Sequence, residues 1–260
     1  MMSGIKAHLQ AIKVALASRM AYRGDYFISF FIMLVVELFA PVITLLIYGN
    51  GASFPGWSLY EALLIQGIFL LSRGIAFPFF FGMVWNTLGQ VQGGTLDLLF
   101  LRPRSLLHMV IMTGFDSEDL GKLLGGLLLF LIALFNLPAP GAAQWLQFLL
   151  VFLFSLIMLF AFALIMASLV IVWVGNGRVY EIYFAVTSFG QYPLAIFSKP
   201  VQTFVTMIIP VSLLGFFPAN VLLGRPSQGV FLAMGFSLLF LIFSLWLWKR
   251  MIHHYNSAGG

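Results

Sequence analysis

Few side chains in this sequence can do chemistry, and their positions narrow what that chemistry is. Glu37 and Arg73 each stand inside a long apolar stretch. Counted along a helix, each lies about 16 Å from the same membrane face. Charges near a bilayer centre are costly and usually paired. The two are therefore expected to form an ion pair joining the first two crossings. Fixing helix packing is its first role, and contact with the polar part of a substrate is the second. Glu37 is the only deep acid, so the paired intramembrane carboxylates of proton-coupled pumps are missing. His8 and His108 stand alone and His253 and His254 are adjacent; neither pattern has metal-ligand spacing, and no H-E-x-x-H occurs. Without cysteine there is no thiolate nucleophile or thiolate metal site. No catalytic, metal-binding or cofactor-binding residue is expected. No G-x-x-x-x-G-K-[ST] sequence is present either, so energy for any work must come from another chain.

The elements that must position these residues are set by composition. The 260 residues are 62% hydrophobic and 8% charged, with a mean hydropathy of +1.04. Soluble domains carry about a quarter charged residues. Several apolar stretches exceed the length of about 20 residues that crosses a bilayer as a helix. An all-α polytopic membrane protein follows, a single domain over 1–260.

Along the chain, Ile5, Leu9, Ile12, Leu16 and Met20 make one helical stripe flanked by Lys6, Lys13 and Arg19. Residues 3–23 thus read as an amphipathic helix lying on the membrane surface, not as a cleavable signal. Crossings are expected over 26–48, 58–84, 118–136, 144–173, 179–197 and 228–248. Asp116, Ser117, Glu118 and Asp119 open the third, where a cap and the helix dipole suit them. Gly121, Gly125 and Gly126 offer that helix a close-packing face. Phe77-Pro78-Phe79-Phe80-Phe81 can kink the second crossing, its rings packing against helices or lipid. Residues 199–223, cut by proline, are expected to dip in and return as a re-entrant gate, with Tyr192, Pro193, Pro210 and Pro218 marking the breaks. Six crossings put both termini in the cytoplasm, where most lysines and arginines then collect: Arg23, Arg102, Arg104, Arg178, Lys249 and Arg250 among them.

One polar-edged interruption remains: Gly93-Gly94-Thr95-Leu96-Asp97-Leu98-Leu99-Phe100-Leu101-Arg102-Pro103-Arg104. Double glycine opens it, Thr95 can cap a helix, and Arg102-Pro103 closes it. Its residues 93–104 hold about two turns of cytoplasmic helix with Leu96, Leu99 and Phe100 on one side, a handle for another protein. An amphipathic turn resting on lipid headgroups is the bland alternative.

Gly94–Pro103, supported by Gly190-Gln191-Tyr192-Pro193, Ile209-Pro210, Phe217-Pro218 and Leu222-Leu223-Gly224, resembles the permease subunits of bacterial type-2 ATP-binding-cassette exporters, in particular a subfamily with a leucine-rich Arg-Pro coupling loop. The resemblance covers nearly the whole chain. It implies a permease dimer, from identical or sister chains, in the bacterial cytoplasmic membrane. It also implies separate cytosolic ATPase subunits carrying ATP and magnesium, and no nucleic acid partner. The coupling helix would dock in the ATPase, with Leu96, Leu99 and Phe100 as anchors and Thr95, Asp97 and Arg102 as polar contacts. An amphipathic or polar substrate would leave along the dimer interface near 193–223. Arg104 departs from the family pattern, where another small apolar residue often follows the Arg-Pro pair. A self-sufficient secondary transporter or channel lacks its coupling-ion ligands and internal repeat here, and a lipid-modifying enzyme lacks its acidic or histidine cluster beyond the helix start at 116–119.

Overall fold

The computed structural model describes residues 20–115, 120–172 and 178–255, together with 10, 12–14 and 16–18. Ile5, Lys6, Leu9 and Arg19 of the expected surface helix, and Asp116–Asp119, lie outside the described residues. The described part of that helix is helical at 12–14 and 16–18, with Val14, Leu16 and Met20 exposed.

All regular structure among the described residues is helical. The first span is α1 (Arg23–Glu37) followed by α2 (Phe39–Gly49), broken at Leu38. Pro41 explains the break: it has no N–H to return to the Glu37 carbonyl, four residues back. A turn at the far end leads to α3 (Leu59–Ala76), a π-helical turn at Phe77–Phe81, and α4 (Gly82–Gln92). Together these form one 34-residue helical rod, running beyond the expected end at 84. Its start is a full capping box, in which Ser58 Oγ accepts from the Glu61 N–H and Glu61 Oε2 accepts from the Ser58 N–H. The π turn begins one residue before Pro78, whose missing N–H cannot close an α turn.

The handle region contains α5 (Asp97–Phe100) and α6 (Leu106–Thr113). Then come α7 (Leu120–Phe135), α8 (Ala142–Val172), α9 (Arg178–Thr187), α10 (Lys199–Thr203), α11 (Phe216–Leu222) and α12 (Gly229–Ile252). Among the described residues, four rods are long and apolar enough to cross a membrane: Arg23–Gly49, Leu59–Gln92, Ala142–Val172 and Gly229–Ile252. α7 is a shorter apolar helix of 16 residues.

The centre of the protein is the α3–α4 rod, most of which is buried, with α7, α8 and the broken segment around it. α7 meets α3 so closely that a Cβ on Gly126 would stand 2.6 Å from the Leu71 nitrogen. On another face of α7, a Cβ on Gly121 would stand 2.5 Å from the Phe30 oxygen of α1. Gly125, expected to share this role, has open space where its Cβ would be. α1, α2 and α12 keep most of their apolar surface exposed.

Between α9 and α12 the chain never runs helically for long. A 3-10 turn at Ser188–Gln191 continues α9. Extended backbone at Tyr192 and Pro193 ends it well before the expected 197. Beyond α10 come a π turn (Phe204–Ile208), a 3-10 turn (Val211–Leu214) and α11. Pro193, Pro210 and Pro218 are buried and Tyr192 is half-buried, its ring edge-on to Phe54 at 6.1 Å.

Candidate functional site

The broken segment is tied into the core by two serines. Ser72 Oγ lies 2.6 Å from the Leu214 carbonyl oxygen, and Ser155 Oγ donates to the Leu213 carbonyl. Each hydroxyl also lies near the carbonyl four residues back in its own helix, Ile68 or Val151. A hydroxyl has one proton to give. The helical carbonyls already have their N–H partners, whereas Leu213 and Leu214 end a one-turn helix where the backbone ladder stops. Ser72 stands about 21 Å along α3 from its capped start, and Ser155 about 20 Å along α8. The segment therefore reaches the middle of the helical bundle before α11 carries it back. There Arg225 Nη2 meets Glu61 Oε1 at 2.7 Å, on the carboxylate that completes the capping box.

Beside Ser72 is the buried charge cluster. Arg73 Nη1 lies 3.0 Å from Glu37 Oε2, with side-chain exposures of 3% and 7%. The α1–α2 break falls immediately after Glu37. Arg73 Nε and Nη2 are buried without hydrogen-bond partners among the described residues. Aromatic faces surround the guanidinium instead, with Phe184, Phe77 and Phe69 ring centres at 4.4, 4.7 and 5.3 Å. A third charge, absent from the sequence reading, joins them: Lys122 is 3% exposed and its Nζ lies 3.8 Å from the Phe77 ring centre. A lysine near the start of an apolar, glycine-rich helix was the available signal. Gln66 donates to Thr44 at 2.8 Å, a second buried tie between the first two spans that sequence reasoning also missed. Phe77 and Phe81 stack at 4.3 Å and Tyr183 closes on Phe81 at 4.1 Å, so these rings belong to the core, while Phe79 is exposed.

At the opposite end of α4 is the handle. Gly94 turns the chain with a φ of 63°, a left-handed conformation that favours glycine. The Gln90 carbonyl then accepts from the N–H groups of Thr95 and Leu96. Thr95 does not cap: its hydroxyl turns back toward the Gln90 carbonyl at 3.5 Å, and the helix starts later, at Asp97. Its α-helical part is a single turn, where about two turns were expected. Leu96, expected as a docking anchor, is fully buried in the protein's own core and cannot be offered to a partner. A helix this short packs one side against its base, and Leu96 and the half-buried Leu99 are on that side. The exposed apolar residues are Leu98 at 58%, Phe100 at 45% and Leu101 at 81%. Arg102, Pro103 and Arg104 are exposed, and Arg104 Nη1 lies 2.7 Å from His108 Nε2.

Tyr255, just past the end of α12, stacks on Phe100 at 5.9 Å and 21°. Burial, and secondarily the nearby Asp97 carboxylate, push its hydroxyl above the usual tyrosine value. The handle and the end of the last helix, with Lys249 and Arg250, thus share one face of the protein.

The sequence model describing an ABC-2 family transporter protein matches residues 31–259, nearly the whole chain and every element above from the middle of α1 onward. The chain belongs to the ABC-2 transporter family. As an ABC-2 permease it is a transporter subunit rather than an enzyme, and permeases of this family normally work with ATP-binding-cassette ATPases. No curated protein sequence matches the chain. The ABC-2 assignment and the long apolar rods make it a multi-pass membrane protein.

Proposed function

We propose that this permease is the membrane-spanning subunit of an ATP-driven exporter of the bacterial cytoplasmic membrane, of the subfamily with a leucine-rich Arg-Pro coupling loop. It works as a dimer, moves an amphipathic or polar substrate out of the cytoplasm, and takes its energy from ATP and magnesium bound to separate cytosolic ATPase subunits. The observation that carries the reading is the handle: an apolar rim of Leu98, Phe100 and Leu101 followed by Arg102 and Arg104, on a base locked by buried Leu96. An apolar rim exposed on a loop between helices suits a protein partner.

The four long rods, α7, and the crossing expected at 179–197, which α9 begins, give six, with both termini and the handle in the cytoplasm. Support comes from Tyr255 meeting Phe100 and from the arginines and lysines gathered on that face. Residues 199–223 serve as a re-entrant gate opening from the outer face, with substrate leaving nearby along the dimer interface.

The test is co-purification. A tagged permease, coexpressed with its ATPase, is expected to retain it, and the variant Leu98→Asp/Phe100→Asp/Leu101→Asp to lose it while staying monodisperse and melting as the parent does. A folded permease that never retains an ATPase, or a triple variant that keeps it, overturns the docking assignment.

A further inference from the structure

Apart from the charge cluster and the handle, the protein has a groove of about 560 Å³ between the broken segment and the start of α12. One wall carries Lys199, Gln202, Thr203 and Thr206, spaced by three and four so that they share a helical face. The opposite wall is apolar: Phe216, Phe217 and Leu232. No acidic residue lines it.

The polar wall has hydrogen-bond donors left over. Gln202 gives one N–H to the Phe197 carbonyl at 2.8 Å and keeps a second. The Thr203 proton is used by the Lys199 carbonyl. Thr206 is only 8% exposed and its hydroxyl makes no hydrogen bond among the described residues, although it faces the groove. Its hydroxyl is thus open to the groove and free to donate to a ligand there. The groove also receives Gly229 and Ser227 from the start of α12, a 24-residue helix with no side-chain cap. The positive end of its dipole favours an anion there. An ammonium group, spare donors and an uncapped helix start, with no competing carboxylate, make an anion site.

The apolar wall decides what kind of anion. Phe216 lies 5.7 Å from Trp57, and a tryptophan just ahead of a crossing marks headgroup depth. Leu232, 48% exposed, continues from the groove along the lipid-facing side of α12. A charged head can rest on Lys199 while a chain follows Leu232. We propose that this groove binds the phosphate of an anionic phospholipid, with Lys199 and Thr206 holding the phosphate and its acyl chain lying against Leu232.

The proposal stands apart from ATPase docking and is tested without it. Full-length permease is delipidated in detergent and given phosphatidylglycerol, the matching diacylglycerol, or glycerol phosphate, with bound species counted by native mass spectrometry. One phosphatidylglycerol per chain is expected to survive gentle activation, and diacylglycerol is not. Lys199→Gln with Thr206→Val, which keep side-chain size, should weaken retention by about tenfold or more, with an unchanged melting temperature. Equal retention of diacylglycerol, or of phosphatidylglycerol by the double variant, overturns the site. Displacement of the lipid by glycerol phosphate at matching concentration overturns its assignment to a lipid.

Discussion

The hydroxyl of Ser72 reaches the carbonyl of Leu214, 142 residues further along the chain. Ser155 does the same for Leu213 from the other side. Two of the smallest polar side chains thus hold an irregular segment at mid-depth, where water is scarce and unpaired carbonyls are costly.

Removing these hydroxyls should loosen that segment. Each of Ser72→Ala and Ser155→Ala is expected to cost about 1–3 kcal/mol, the penalty for a buried acceptor left without a donor. Thermal unfolding in detergent reads the loss. An unchanged melting temperature in the double variant would mean that the two carbonyls find other donors.

The Glu37–Arg73 pair should behave as a unit. Arg73→Gln strands a buried carboxylate and is expected to destabilise by about 3–5 kcal/mol. Replacing both residues by glutamine should recover much of that loss, since neither member of the pair is left facing a missing partner, while Lys122 keeps its place beside Phe77. Comparing the parent and these two variants by melting temperature and by transport separates packing from substrate contact. A well-assembled Arg73→Gln permease with lost transport would point to the substrate.

Residues of the handle should divide by the side they occupy. Leu96→Ala is expected to cost about 2–5 kcal/mol of stability, because it empties a filled core position. Leu101→Asp should leave stability within about 0.5 kcal/mol while weakening ATPase retention. Unfolding curves and pull-downs on the same preparations check both halves of this statement.

Tyr255 supplies a pH test. Its hydroxyl titrates above the usual 10.0, first through burial and then through Asp97. A raised folded-state value means that the neutral phenol is favoured in the folded protein. The associated stability is fully present below pH 10 and is lost as pH rises through the folded value. Tyr255→Phe should therefore lose less stability above pH 10 than the parent does, as read by melting curves over an alkaline series.

What was legible beforehand follows from how far each signal travels along the chain. Four long apolar rods need only local composition, and the depths of Glu37 and Arg73 needed only a residue count along two neighbouring helices. The handle's position was marked by Gly93-Gly94 and Arg102-Pro103, but its inward side was not. In so short a helix, spacing alone cannot say whether Leu96 or Leu98 meets the core. The burial of Lys122 was not legible, because it depends on Phe77 in another helix. The path of residues 199–223 depends on Ser72 and Ser155, which read locally as ordinary helix-packing serines.

The π turn at Phe77–Phe81 has a consequence for comparing relatives. It holds one residue more than the α-helical period, so α4 is rotated by about 100° from where a plain α-helix would leave it. Which way the handle faces is thus set by a one-residue insertion about three turns away from it. A relative with a regular helix here should align only with a single gap at 77–81. Deleting Phe79 should swing the whole loop to a different bearing without changing one residue of the loop itself.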